Sequence, residues 1–215
     1  MFDGACALYT PCLCQIYGVL PNDQIAVIGS GCLLGPDRLI TARHVVVDTQ
    51  TAGASLRVSK VDGSFEATVN WNDTKSDIAV LRTTKCLQPI SQPLPTSYPQ
   101  IANVLPAQGM LLGYMATLRR TGGAIKYNKY FASGFVSFLN YHADRAIRYV
   151  LASGFIEGGF SGGPVFLPDN SLIGVLVSSC EFTSEILGVR IPHAFPEAVG
   201  VAIHRSAIAS ALAAS

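Results

Sequence analysis

The chain has 215 residues, of which 49% are hydrophobic and 13% are charged, and its formal net charge is +1. This composition allows a sizeable core, and an all-β barrel protein of this length is still one domain. The charge is too small and too dispersed to favour nucleic acid or an anionic membrane surface as a partner. No apolar run reaches the ~18 residues of a membrane-spanning helix.

The N-terminus lacks the features of a secretory signal peptide. Residues 1–4 carry no positive charge, and Pro11 and Pro21 interrupt the apolar stretch that follows. We therefore expect an intracellular, cytoplasmic protein without a signal peptide or transmembrane segment.

The six cysteines fall into two groups. Three cluster near the N-terminus. A structural zinc site needs four ligands, and no fourth ligand lies nearby, so a metal site is disfavoured. The other three lie in apolar runs, where a thiol is usually a small buried hydrophobe. The sequence favours thiols without metal, and it does not reveal any disulfide pairing. The two groups are Cys6, Cys12 and Cys14, and Cys32, Cys86 and Cys180.

The first half of the chain has strand patterns. Residues 25–34 and 38–41 predict a hairpin that turns at the Gly-Pro-Asp segment 35–37. Residues 65–71 alternate apolar and polar side chains with period two, as a half-buried strand does.

Two side chains suited to proton chemistry lie in the apolar runs of this half. His44 follows the run that begins at Leu39, and its usual pKa of ~6.5 lets it accept and return a proton near neutrality. Asp77 directly precedes the run 78–81. A carboxylate buried beside an imidazole would fix its tautomer and stabilise the imidazolium.

A proline-rich segment, residues 89–106, follows and predicts a linker, because proline cannot donate to a β-ladder. Beyond it, residues 127–139, 147–152 and 172–177 predict strands, so that each half has about enough strands for a small barrel. The alanine-rich residues 206–214 predict a terminal helix.

The most informative segment is the sequence GFSGGP at residues 159–164. Its glycines allow sharp backbone bends and close approach of a substrate. By itself it also fits an ordinary glycine-rich turn. A nucleophilic serine needs a base, a group that orients the base, and backbone N–H donors for the oxyanion. His44, Asp77 and Ser161 supply the three side chains.

Three segments resemble the signature blocks of trypsin/chymotrypsin-like serine proteases. They are TARH at 41–44, DIAVL at 77–81 and SGGP at 161–164, and they stand in the order of that family. Their compact spacing is most similar to the short-looped bacterial branch, including HtrA/Deg-type proteases, here without a following peptide-binding domain. The resemblance covers roughly residues 25–210.

The resemblance implies an all-β fold with two antiparallel six-stranded β-barrels of the chymotrypsin type and a short C-terminal helix. Residues 1–215 would form a single protease domain, and the triad would assemble in the cleft between its barrels. The implied parts are a first barrel at about 24–88, the linker at 89–106, a second barrel at about 107–204 and the helix at 205–215.

The resemblance also implies residue roles. Ser161 attacks a peptide carbonyl and forms an acyl-enzyme, His44 acts as general base and then general acid, and Asp77 orients His44. The backbone N–H groups of Gly159 and Ser161 match the oxyanion hole. A protein or peptide is the expected partner, and no cofactor or metal is needed.

The substrate pocket is assigned by position in the same family. Phe155 or Ile156 would form the base of the S1 pocket, and Val177, Ser178 and Ser179 its wall. No aspartate stands at these positions, so we expect a small or apolar P1 residue.

Two departures from the family pattern are informative. Phe160 stands where trypsin-like zymogens have an aspartate that pairs with the freed N-terminal amine, so activation by cleavage is not expected. The enzyme is then either constitutively active or has an oxyanion loop that an activating partner or a substrate orders. Val45 stands where secreted members have a cysteine.

Two rival interpretations fit part of the sequence. The serine segment also fits the nucleophile elbow of α/β-hydrolases, with Asp169 and His204 downstream. That fold needs alternating strands and helices and leaves His44 and Asp77 unexplained. The other rival is a catalytically silent protease fold that acts as a binding module, and the intact triad disfavours it.

Overall fold

The computed structural model describes residues 10–87 almost completely, and parts of the chain beyond residue 106. Several predictions fall outside the described residues: the linker, the C-terminal helix, and the structure around Cys6, Cys86 and Cys180. The described residues are 10–60, 63–85, 87, 107–118, 125–141, 147–152, 158–166, 172–179, 182–186, 189–193 and 198–203. Side chains are described for 10–60, 63–85, 87, 158–165 and 174–177.

Six antiparallel strands form a closed barrel in the first half of the chain, after a 3-10 turn at Thr10–Cys12. They are β1 (Leu13–Val19), β2 (Ile25–Leu33), β3 (Arg38–Ala42), β4 (Ser55–Lys60), β5 (Gly63–Asp73) and β6 (Ile78–Thr83). Their order around the barrel is β1-β2-β3-β6-β5-β4.

The local patterns predicted two features of this barrel correctly. The hairpin is confirmed, because β2 and β3 pair with Cys32 opposite Ile40 and Leu33 opposite Leu39. Strand β5 alternates in burial, with Ala67 buried between the exposed neighbours Glu66 and Thr68. The Gly-Pro-Asp turn segment predicted the hairpin, and the period-two alternation of apolar and polar residues predicted β5.

The barrel begins earlier than the predicted boundary near residue 24. Strand β1 pairs with both β2 and β4, so the barrel cannot close without it. Leu13 and Ile16 of this strand are at most 1% exposed and belong to the core. Its sequence, LCQIYGV, buries side chains on consecutive positions and lacks the alternation that marks a half-buried strand.

An α-helix, α1 (Arg43–Thr51), follows β3 directly, where the sequence predicted no helix. Val45, Val46 and Thr49 bury one face of α1 on the barrel. The β-branched valines favour strand over helix in isolation, so tertiary packing decides the conformation here. The helix ends at Thr51, and its C-cap residue, Ala52, is followed by Gly53 with a φ of 66°.

The second half contains another closed cycle of six strands and a separate hairpin. The cycle comprises β7 (Ala107–Leu118), β8 (Ile125–Tyr141), β9 (Ile147–Ala152), β10 (Pro164–Phe166), β11 (Leu172–Ser179) and β14 (Ala198–Ile203). They pair in the order β10-β11-β14-β9-β8-β7, and β10 also pairs with β7. The hairpin is β12 (Phe182–Ile186) with β13 (Val189–His193).

Cys12, Cys14 and Cys32 lie in the core of the first barrel, each at most 2% exposed. Burial raises the pKa of the Cys32 thiol well above its usual value, so this side chain stays protonated at neutral pH. No cluster of side chains within the described residues could hold a metal ion. Across the same part of the chain, no helix has the length and apolar character needed to cross a membrane.

Truncation of a core isoleucine should be far more destabilising than truncation of an exposed one in the same sheet. Ile40 of β3 is 0% exposed and Ile25 of β2 is 41% exposed. We expect Ile40→Ala to lower the free energy of unfolding by about 2–5 kcal/mol. Ile25→Ala, the matched control, should change it by roughly 0.5 kcal/mol or less. Urea denaturation measures both, and equal losses would contradict the assigned core.

Candidate active site

His44 and Asp77 form a close pair between the first turn of α1 and the start of β6. The imidazole Nδ1 lies 2.7 Å from Asp77 Oδ2, and the backbone N–H of His44 donates to Asp77 Oδ1 at 3.0 Å. The backbone N–H of Arg43 donates to the Asp77 carbonyl oxygen at 2.7 Å. Asp77 therefore accepts two of the N–H groups that the first turn of a helix leaves without intrahelical partners.

The same bonds explain how α1 begins without a capping side chain. Ala42, the N-cap residue, makes no side-chain cap hydrogen bond. A carboxylate near a helix N-terminus interacts favourably with the helix dipole. Asp77 thus caps the helix from a distant position in the sequence and holds the imidazole at the same time.

A tight turn holds Asp77 in an unusual backbone conformation. Its φ is 55°, in the left-handed region that costs a non-glycine residue of order 1–3 kcal/mol. The preceding turn is fixed by Asp73, whose Oδ2 accepts the Ser76 hydroxyl at 2.6 Å and the Ser76 N–H at 3.1 Å. Ser76 is itself 1% exposed. The surrounding hydrogen bonds therefore direct the Asp77 carboxylate toward His44.

The pKa of His44 is raised above its usual value, mainly by the hydrogen bond to Asp77. Partial burial lowers this pKa, while the negative charges of Asp77 and Asp48 raise it. In the neutral imidazole, Nδ1–H donates to Asp77, and Nε2 is then the acceptor. This side chain is 35% exposed, so Nε2 can serve as a base toward an approaching group.

Ser161 lies in a glycine-rich loop, residues 158–163, that directly precedes β10. Gly159 and Gly162 have φ values of 102° and 84°, which L side chains rarely adopt. The N–H of Gly162 donates to the Leu176 carbonyl oxygen at 2.7 Å, and the N–H of Gly163 donates to the Phe160 carbonyl oxygen at 2.8 Å. Phe160 is 0% exposed and anchors the loop.

This loop contacts the first barrel through strand β2. The N–H of Ser30 donates to the Ser161 carbonyl oxygen, and the Ser30 hydroxyl donates to the Gly159 carbonyl oxygen, both at 2.7 Å. A Cβ on Gly162 would collide with the Ser30 carbonyl oxygen and lie 2.8 Å from the Ala42 nitrogen. The glycine-rich loop therefore packs against the C-terminal end of β3, which directly precedes α1 and His44. Position 162 requires glycine, because any side chain there would collide with the first barrel.

The structure describes only some of the other residues predicted for the oxyanion hole and the substrate pocket. Gly159 is buried, and Val177 is 5% exposed within the core cluster. Ser178 and Ser179 lie on β11, where the strand shifts register against β14. Phe155 and Ile156 lie outside the described residues, so the substrate pocket stays a prediction.

Sequence reasoning missed Ser30 and Thr41, which connect the two halves of the site. Both are 0% exposed, and the Thr41 hydroxyl donates to the Ser30 carbonyl oxygen at 2.7 Å. The available signal was a polar residue inside an apolar run, since a buried hydroxyl needs a hydrogen-bond partner.

Comparison with known proteins adds a family and a fold. The family model described as "Trypsin-like peptidase domain" matches residues 29–175. No curated protein matches the chain's sequence.

Crystal structures of the Rv3671c protease of M. tuberculosis are similar to this chain. The active form is 22% identical, has a TM-score of 0.68 and aligns over 98% of this chain and 83% of that chain. An inactive form is 23% identical, with a TM-score of 0.66, over 98% of this chain and 92% of that one. An inactive serine-to-alanine mutant from strain H37Rv is 23% identical, has a TM-score of 0.64 and aligns over 98% of this chain and 89% of that chain.

These likenesses show a chymotrypsin-like fold, in agreement with the strands and the closed first barrel. The family model covers more than half of the chain. The protein therefore belongs to the trypsin-like peptidase family and is a serine peptidase.

Proposed function

We propose that the protein is a serine endopeptidase that hydrolyses peptide bonds through a His44–Asp77–Ser161 triad. The observation that carries the proposal is the 2.7 Å contact between His44 Nδ1 and Asp77 Oδ2. Asp77 is held by the helix N–H groups on one side and by its own turn on the other. Such a carboxylate fixes both the tautomer and the direction of the imidazole.

The proposed reaction has two halves. The Ser161 hydroxyl attacks the peptide carbonyl carbon while His44 Nε2 takes its proton, and Asp77 stabilises the resulting imidazolium. The tetrahedral intermediate then collapses as His44 returns the proton to the leaving amine, which leaves an acyl-enzyme. Water, deprotonated by His44, releases the acyl group by the reverse sequence of proton transfers.

The N–H groups of Gly159 and Ser161 are the proposed oxyanion donors. Their carbonyl oxygens accept hydrogen bonds from Ser30, which supports the proposal because the two residues are held in fixed positions. A donor of this type contributes about 3 kcal/mol to transition-state stabilisation. The second cycle of strands is, in this proposal, the second barrel of the chymotrypsin fold.

We further propose that the S1 pocket, formed at Phe155 or Ile156 and walled by residues 177–179, accepts a small or apolar P1 side chain. The support is the lack of an acidic residue at these positions of the sequence. A fluorogenic peptide panel should show kcat/KM highest for Ala, Val or Leu at P1. A preference for Arg or Lys would show that the pocket is assigned wrongly.

Covalent labelling separates an active peptidase from a silent binding module. A fluorophosphonate probe should label the wild-type protein at Ser161 and leave Ser161→Ala unlabelled. His44→Ala should slow labelling by at least ~10³-fold, since loss of the base removes activation of the hydroxyl. In-gel fluorescence and peptide mapping measure both. An unreactive wild-type protein that is correctly folded would contradict the proposed function.

The pH dependence of activity should report the raised pKa of His44. Only the neutral imidazole accepts a proton, so kcat/KM should fall on the acidic side with a midpoint above about 6.5. Asp77→Asn should lower the pKa of His44 and reduce kcat by about 10⁴-fold. Asp48→Asn changes the same functional group on the exposed face of α1, and should lower the pKa slightly with little effect on kcat.

Stability should follow the opposite trend with pH. Because the folded-state pKa of His44 is raised, its contribution to stability is fully present below about 6.5 and is lost as pH rises through the folded-state pKa. Imidazole NMR titration and urea denaturation across this window measure the two effects. An acidic limb centred below 6.5 in the wild type would contradict the assignment of His44.

A further inference from the structure

We propose that Ser30 is a positioning residue that holds the oxyanion loop, residues 159–162, in its active conformation from within the first barrel. The inference rests on the proposed function for its catalytic consequence, although the loop contact itself is structural. Ser30 is 0% exposed and lies in the middle of β2, opposite Gln15 of β1. It is therefore fixed by the barrel and not by the loop that it contacts.

All three polar groups of Ser30 take part in hydrogen bonds at this interface. The N–H donates to the Ser161 carbonyl oxygen and the hydroxyl donates to the Gly159 carbonyl oxygen. The Ser30 carbonyl oxygen accepts the Thr41 hydroxyl at 2.7 Å. One residue thus contacts the loop on both sides of Phe160, and Thr41 of the neighbouring strand orients it.

These bonds act on the two residues that carry the proposed oxyanion donors. The direction of an N–H depends on the φ and ψ of its own residue and of the one before it. Gly159, with φ at 102°, can reach many backbone conformations that other residues cannot. A hydrogen bond to its carbonyl oxygen fixes the Gly159–Phe160 peptide plane and so restricts the backbone between the two proposed donors.

Phe160 makes such an anchor necessary. This side chain is buried and uncharged, so it cannot form an ion pair that orders the loop. The hydroxyl of Ser30 reaches the loop directly from the first barrel, 129 residues away in sequence. The loop is then ordered by the docking of the two barrels, with no need for a freed N-terminus or an activating partner.

The test removes the hydroxyl of Ser30 and compares the result with loss of another buried hydroxyl. Ser30→Ala should lower kcat about tenfold, a fold-change typical of one net hydrogen bond, and leave KM within about twofold. The affinity for a peptide aldehyde, which occupies the oxyanion hole, should fall by about the same factor. Amide hydrogen exchange of the segment 158–166 should become about tenfold faster.

Thr83→Val is the matched control. Thr83 is 6% exposed, its hydroxyl donates to the Lys85 carbonyl oxygen at 2.8 Å, and it lies at the opposite end of β6 from Asp77. It should lose stability in thermal denaturation without changing kcat, aldehyde affinity or exchange of the loop. If Ser30→Ala matches Thr83→Val in all three measurements, the proposal is overturned.

A second pair of variants covers the case in which Ser30→Ala fails to fold. Thr41→Val removes the hydroxyl that orients Ser30 but keeps the side-chain shape, and should lower kcat and loosen the loop. Thr41→Ser keeps the hydroxyl and should restore both toward wild type. Equal kcat and equal loop exchange in these two variants would contradict the proposal. Absence of labelling by the fluorophosphonate would disprove the proposed function. Hydrogen exchange of the loop does not depend on catalysis, so it would still test whether Ser30 holds the loop.

Discussion

The pairing of Asp77 with the N-terminal turn of α1 is the interaction on which the rest of the site depends. Its carboxylate accepts one hydrogen bond from the backbone of His44 and contacts the imidazole with the other oxygen. Because the helix N-terminus and the imidazole contact the same carboxylate, any movement of α1 relative to Asp77 also changes the position of the imidazole. The folded first barrel therefore holds both of these side chains of the proposed triad in contact.

Local sequence patterns predicted the parts of this structure that local forces determine. The hairpin of β2 and β3 follows from its turn segment, and β5 follows from its alternation. Helix α1 escaped prediction because Val45 and Val46 favour strands, while the bonds that start the helix come from Asp77. Strand β1 was not predicted, because its side chains are buried at consecutive positions. Its sequence therefore lacks the alternation of apolar and polar residues by which a half-buried strand is identified.

The site shows the same division. His44 and Asp77 could be predicted from the segments around them, and their contact is found in the structure. The role of Ser30 could not, because a hydroxyl inside an apolar run indicates that a hydrogen-bond partner is needed but does not identify Gly159, in the other half of the chain, as that partner. A motif identifies the atoms that react, whereas the groups that position them are selected by packing. Such groups become visible only when the buried polar atoms are matched with their partners.

An ion pair and a buried neutral hydrogen bond order a loop in different ways. An ion pair to a freed N-terminus exists only after the chain is cut, so it can act as a switch. The bonds of Ser30 and Thr41 form whenever the loop docks on the first barrel, and neither hydroxyl titrates in the neutral range. Bonds between buried neutral groups are also little affected by salt. On the Ser30 proposal, order in the loop is therefore coupled to folding, and the protonation state of His44 is left as the variable that controls activity near neutral pH.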